Sequence, residues 1–324
     1  MPDQPQDSNL GPPIHALSTM WSQGRFRRDG LDGDDMDAFA ETTARLGFPH
    51  IEISYVIPPD GVEALLGSNH VRVSSVHSPC PRIRTADGRL SDALNLASIK
   101  DDERQLAVER AKVTIDYACR AGAGSVVVHL GGIDTPMFEE ERDLRRRYDA
   151  GEREGQRVEE LRRRAIARRP EGVESFFPQA RRSLAEIAEY AAARSVAIGL
   201  ENRFHYHEFP GIDEMHELLA EYPAHVAGFW LDVGHAEVLD RLGLIPKHRW
   251  LNELAGRCIG AHVHDVDGLA DHRAPGHGTA DWEHIAQKLP RRVPRIFEIN
   301  QKTPEEHVAA AIPFLRQCGV LPQP

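Results

Sequence analysis

The 324-residue chain carries 39 Lys and Arg against 50 Asp and Glu, a formal net charge of −11, with 41% hydrophobic residues and a mean hydropathy of −0.45. That length admits one large domain with a full core or two small ones. The acidic balance argues against nucleic acid as a partner, because non-specific affinity for it rests on Lys and Arg neutralising phosphates. No apolar run reaches the roughly 18 residues of a membrane helix, so no membrane association is expected.

The first 13 residues, Met1 to Pro13, hold two Gln, two Asp and four Pro. With no basic stretch leading into an apolar one, they read as a disordered lead-in rather than a signal peptide, and cytoplasmic residence is the default. From Ile14 onward, short β-branched apolar runs alternate with amphipathic stretches. Strands are expected near Ile14–Met20, Pro49–Ser54, Val71–His77, Ser125–Leu130, Val196–Glu201, Val226–Asp232, Cys258–His264 and Arg295–Asn300. Between them, helices are expected at Asp34–Leu46, Asp101–Ala121, Pro178–Arg194, Asp213–Tyr222, Trp282–Leu289 and Pro304–Cys318. Asp34, Asp213 and Asp281 are placed to cap helix N-termini, and Pro304 to occupy a first helical position.

Eight strands, most followed by a helix, give a parallel sheet with crossovers. The count and length favour a (β/α)₈ TIM barrel over a doubly wound sheet. The first strand is followed by Thr19-Met20-Trp21-Ser22 rather than a Gly-rich dinucleotide turn, which counts against a Rossmann fold. Residues 14–324 are read as one domain. Phe138 to Glu174 interrupts the alternation with almost continuous charge, including Glu139-Glu140-Glu141, Arg145-Arg146-Arg147 and Arg162-Arg163-Arg164. It reads as solvated helices joined by Gly and Pro breaks, with a lid or a dimer arm as the alternative. A homo-oligomer is left open. The widely spaced cysteines (Cys80, Cys119, Cys258, Cys318) contain no CxxC pair and read as small buried hydrophobes rather than a disulfide or zinc framework.

In a parallel barrel, function gathers at the C-terminal strand ends. Those positions hold His77, His129, Glu201, Asp232 with His235 three residues on, His262 and His264, and Glu298. A lone histidine or carboxylate at a strand end is usually a satisfied structural group. Six apolar strands each delivering one to the same end point instead to a shared charge centre, because each group is costly to bury without pairing or a cation. Carboxylates with imidazole suit Mn²⁺, Mg²⁺, Co²⁺ or Zn²⁺. Of the two histidines on the seventh strand, His264 is expected to be the ligand and His262 a deeper packing or supporting group. After it, His272 is a candidate for substrate or a second metal, and Gly276-His277-Gly278 suggests a tight turn close to a ligand. The stretch from Asn202 to Glu208, with Arg203 at its start, reads equally as a substrate contact or a well-paired loop.

The segments Glu201-Asn202-Arg203, Asp232-Val233-Gly234-His235, His262-Val263-His264-Asp265 and Phe297-Glu298 resemble the xylose-isomerase-like barrel superfamily. That group joins sugar isomerases and epimerases with AP endonucleases of the endonuclease IV type. The resemblance implies a metal held by Glu201, Asp232, His264 and Glu298, with Glu201 and Glu298 as an acid/base pair. His235 and His272 would hold substrate. The implied activity is a divalent-metal-dependent isomerase or epimerase working on a sugar, polyol or related hydroxy-carbonyl compound through an enediolate. The endonuclease branch implies instead a multi-zinc phosphodiesterase, with up to three ions drawing on His77, His129, His235 and His272. That branch has an Asp where this chain has Ala270, although Asp271 is adjacent. A lyase or dehydratase on the same metal site is the third option.

Overall fold

The structure is a computed structural model and describes residues 14–27 and 33–323, so the expected N-terminal tail lies outside the described residues. Eight parallel strands close into a barrel: β1 (His15–Ser18), β2 (His50–Ile53), β3 (Arg72–His77), β4 (Ser125–Val128), β5 (Ala197–Glu201), β6 (Ala227–Asp232), β7 (Cys258–His262) and, after a two-stranded hairpin, β10 (Arg295–Phe297). All eight coincide with the expected runs, and β10 pairs with both β1 and β7 to complete the closure. The hairpin, β8 (Asp265–Asp267) with β9 (Ala270–Arg273), was not anticipated; it folds over the barrel mouth after β7.

The helices wrap the outside: α1 (Met36–Arg45), α2 (Pro59–Gly67), α3 (Asp101–Ala121), α4 (Glu139–Asp149), α5 (Gln156–Ala192), α6 (Ile212–Ala220), α7 (Val233–Arg241), α8 (Lys247–Leu254), α9 (Trp282–Lys288) and α10 (Glu305–Gln317). Asp281 caps α9 as expected, its carboxylate accepting from the His284 N–H. Two other starts fall elsewhere. Asp35 rather than Asp34 caps α1, because the Asp34 carboxylate is taken by the N–H groups of Gly24 and Phe26. Asp213 sits in the first turn of α6, where Glu214 reaches back to the Gly211 N–H. Pro304 lies just before α10 rather than in it.

Inside the barrel, Ala16, Val127, Trp230 and Ile296 form a layer beneath the strand ends. Gly199 and Gly260 on the neighbouring strands make room for the Trp230 indole: a Cβ on Gly260 would stand 2.1 Å from the ring. This packed floor means the carboxylates above it open only toward the mouth.

The charged segment differs most from its sequence reading. Helix α5 runs unbroken through Pro170 and Pro178 rather than ending at them. Leu144, Val158, Leu161 and Ala165 bury an apolar face against Val238, Leu239, Leu242, Leu244 and Val266, a second cluster beside the main core. Glu140 and Glu141 point inward, Glu140 to Arg164 and Arg168 and Glu141 to Arg145 and His205. A charge count along the sequence overlooks this because one apolar residue per turn suffices to dock a helix. Among the cysteines, Cys80 and Cys258 are buried, but Cys119 is exposed on the outer face of α3, and all four are free. No described helix is long and apolar enough to cross a membrane.

Candidate metal centre

The strand ends converge on Glu201. Its Oε2 lies 2.8 Å from His129 Nε2 and 3.1 Å from His77 Nε2, at the ends of β4 and β3. Its Oε1 lies 3.3 Å from His235 Nδ1 and 3.5 Å from His262 Nδ1. Asp232 ends β6 and caps α7, its Oδ1 accepting from the His235 N–H at 2.7 Å. Asn202 locks that corner by bonding both the N–H and the C=O of Asp232. Glu298, just past β10, lies 3.2 Å from His262 Nδ1 and 3.4 Å from His272 Nε2.

The two histidines expected on the seventh strand stand in different donor groups. The barrel register sets His262 directly beside Asp232. Its Nε2–H is engaged by Glu52 Oε1 at 3.0 Å, and Ser75 in turn donates to Glu52 Oε2 at 2.7 Å. That leaves Nδ1 facing Glu201, Asp232 and Glu298, whose ligand atoms with Nδ1 all lie within 4.8 Å of one another. Both ring nitrogens of His264 are hydrogen-bonded. Its Nδ1 accepts the His272 N–H at 2.9 Å, so its Nε2 carries the proton and donates to Asp232 at 3.0 Å. Among the described residues, no such donor group contains both Glu201 and His264, so the quartet expected from sequence is not brought together; with His262 in place of His264, it is. His264 still has Asp232, His272 and Glu298 within reach, and Gly234 gives it space, since a Cβ there would stand 2.2 Å from its ring.

The quartet fits a divalent cation. Glu201 Oε1 and His262 Nδ1 are both buried without a hydrogen-bond partner, a costly arrangement that a shared cation relieves. The Glu52–His262 pair has the form of a carboxylate orienting a metal-binding imidazole. Electrostatics agree. Burial pushes Glu201, Asp232 and Glu298 up, yet the surrounding imidazoles outweigh it and hold all three below the usual carboxylate range, Glu298 at about 2. Burial lowers His262, but Glu298 and Glu52 raise it well above an ordinary imidazole. A proton on His262 Nδ1 occupies the position a cation would compete for.

Two further donor groups flank the quartet: His77, His129 and Glu201 on one side, His235, Asp271 and His272 on the other. His272 stacks flat on His264 at 4.4 Å, and its backbone takes a positive φ of 55° in the hairpin. A cleft of about 320 Å³ opens above these groups, lined also by Tyr55, Arg203, Phe204, His205 and Glu208. His277 is elsewhere: it stacks on His307 at 3.8 Å. The Gly276–Gly278 turn is tight because it wraps Asp265, which accepts the N–H groups of Gly276 and Ala280, not because a ligand approaches.

Of the stretch after Glu201, Arg203 faces the cleft while its neighbours are tied to the charged helices. Glu141 accepts from Tyr206 N–H, and Arg145 and Arg169 donate to the carbonyls of Phe204, Tyr206 and Glu208. The stretch is thus both a cleft wall and a well-paired loop. Glu52 and Tyr55 are absent from the sequence reading, and Glu208 enters it only as the end of the stretch after Glu201. Glu52 did leave a signal, a carboxylate inside the apolar run His50-Ile51-Glu52-Ile53, but one position short of the strand end.

A closed parallel barrel with a ring of carboxylates and imidazoles at its mouth defines the class. The chain belongs to the xylose isomerase-like TIM barrel family, whose model matches residues 40–318. Among solved structures, it resembles a D-tagatose 3-epimerase-like protein (TM-score 0.64, 20% identity, covering 94% of this chain and 96% of that one). It also resembles an L-ribulose 3-epimerase (TM-score 0.61, 16% identity, 96% and 95% covered). By sequence, it is 25% identical over 210 residues to the uncharacterised protein y4fM of Sinorhizobium fredii strain NGR234; the match takes in 63% of this chain and little more than half, 56%, of that protein.

Proposed function

We propose that this protein is a divalent-metal-dependent isomerase or epimerase acting on a sugar, polyol or related hydroxy-carbonyl compound. The observation that carries this reading is a pair of buried glutamates, Glu201 and Glu298, on either side of the unpartnered His262 Nδ1 and open only to the cleft. The epimerases among its structural neighbours support the substrate class. Glu201, Asp232, His262 and Glu298 would hold the ion, which when bound polarises a carbonyl and the hydroxyl beside it. One glutamate takes the proton next to the carbonyl, and the other returns it from the opposite face. His235, raised to about 9 by Asp232 and Glu201 despite its burial, offers a charged donor to a substrate oxygen. His272 does so from the hairpin.

Solvent deuterium exchange tests this. Metal-loaded protein should incorporate deuterium beside the carbonyl of at least one member of a ketose panel, and Glu201→Gln or Glu298→Gln should slow it at least about a hundredfold. No exchange across the panel with metal bound would overturn the reading.

The two flanking donor groups favour one alternative, hydrolysis of a phosphodiester with several ions. Metal counting by mass spectrometry of the native protein separates the two: one ion per chain supports the isomerase, two or three the hydrolase.

A further inference from the structure

A second cavity, of about 190 Å³, opens sideways from the cleft between the loop after β3 and helix α3, and shares Tyr55, His129 and Arg203 with it. It is far larger than the roughly 15 Å³ that admits a single water. Its polar lining is unusual. Arg203 is only 8% exposed, and its Nε and Nη1 make no hydrogen bond. Arg110, on α3, likewise has a buried Nε without a partner and takes part in no salt bridge among the described residues. Ser78 adds a hydroxyl to the wall, and Asp92, the only acid among the described lining residues, is exposed to solvent.

Charge decides what fits. Arg203 is already balanced: its Nη2 donates to Glu208 at 2.9 Å, and Glu201 stands 3.7 Å from Nη1. Arg110 makes no ion pair among the described residues, so its guanidinium is the one left to meet an anion. We infer that this cavity receives a carboxylate on the far end of the substrate, held by Arg110 and Arg203, so that the preferred substrate is a sugar acid rather than a neutral sugar. A guanidinium fork matches a planar carboxylate, and the one guanidinium without an ion pair matches its single negative charge. A phosphate monoester brings about two negative charges and would leave one uncompensated. The inference rests on the sugar-directed reading above and specifies its substrate class.

Titration calorimetry of the metal-loaded full chain tests it, using D-glucuronate, D-glucose and D-glucose 6-phosphate, then the same three forms of D-galactose. In at least one set, the uronate should bind about tenfold or more tighter than its neutral sugar and tighter than the phosphate ester. Arg110→Met should erase that advantage with bound metal per chain unchanged, and Arg110→Lys should retain part of it. Equal binding of uronates and neutral sugars, a preference for phosphate, or an advantage surviving Arg110→Met would overturn the inference. The deuterium-exchange assay is read separately. A uronate preference without exchange removes the isomerase reading and leaves the subsite, whereas exchange into neutral ketoses with no uronate preference does the reverse.

Discussion

Two histidines, two positions apart on the same stretch of chain, have opposite chemistry because of what holds their second nitrogen. Glu52 takes the Nε2–H of His262 and turns its Nδ1 toward three carboxylates; the His272 backbone N–H occupies Nδ1 of His264 and leaves it donating to Asp232. Replacing His262 by Ala should therefore cut metal affinity well beyond a hundredfold, while His264→Ala or Glu52→Gln should cost about 10–100-fold, the usual effect of a group that orients a ligand. Metal titration of the three variants against wild type checks the order. If His264→Ala lost metal as completely as His262→Ala, the assignment of His262 would be wrong.

At the scale of elements, α4 and α5 act on the cleft through the loop they grip. Glu141 is fully buried and receives His205, Arg145 and the Tyr206 N–H. Burial pushes its carboxyl up, but these donors outweigh it and keep it below the usual glutamate range. A depressed carboxyl contributes stability that is present above its unfolded pKa and lost as pH falls through the lower folded value. Glu141→Gln should thus destabilise the protein by about 1–3 kcal/mol near neutral pH, with the gap from wild type closing as pH drops below the ordinary glutamate range. Denaturant unfolding at several pH values reads this directly, and a gap that widened in acid would contradict it.

For the whole molecule, the barrel collects negative charge at one end and relies on imidazoles, or a cation, to offset it. Chelation should lower the melting temperature, because an ion that binds only the folded state at a hundred times its Kd contributes about 2.7 kcal/mol. For a domain of this size that is a shift of about 3–8 °C, restored by adding back metal and measurable by calorimetry. A Glu201→Gln/Glu298→Gln double variant should melt at nearly the same temperature with and without chelator.

The barrel and its polar rim are both legible in the sequence. Eight apolar runs of strand length, separated by amphipathic helices, have few ways to bury both faces of a parallel sheet, and strands that finish in His, Glu or Asp mark one rim whatever their exact pairing. That makes His77, His129, Glu201, Asp232, His235 and Glu298 legible as neighbours from their positions in the chain alone. Three things were decided only in the tertiary structure. Which of His262 and His264 stands beside Glu201 depends on the register of β6 against β7 and on Glu52, which lies 210 residues away from His262 in the chain. The docking of α4 and α5 depends on an apolar stripe too sparse to stand out amid so many charges. The side cavity exists because α3 sets Arg110 opposite a residue from the end of β5, a pairing of distant segments that no local pattern encodes. Local propensity fixes which elements form and which of their ends are polar; relative register and long-range packing fix which nitrogen faces the centre.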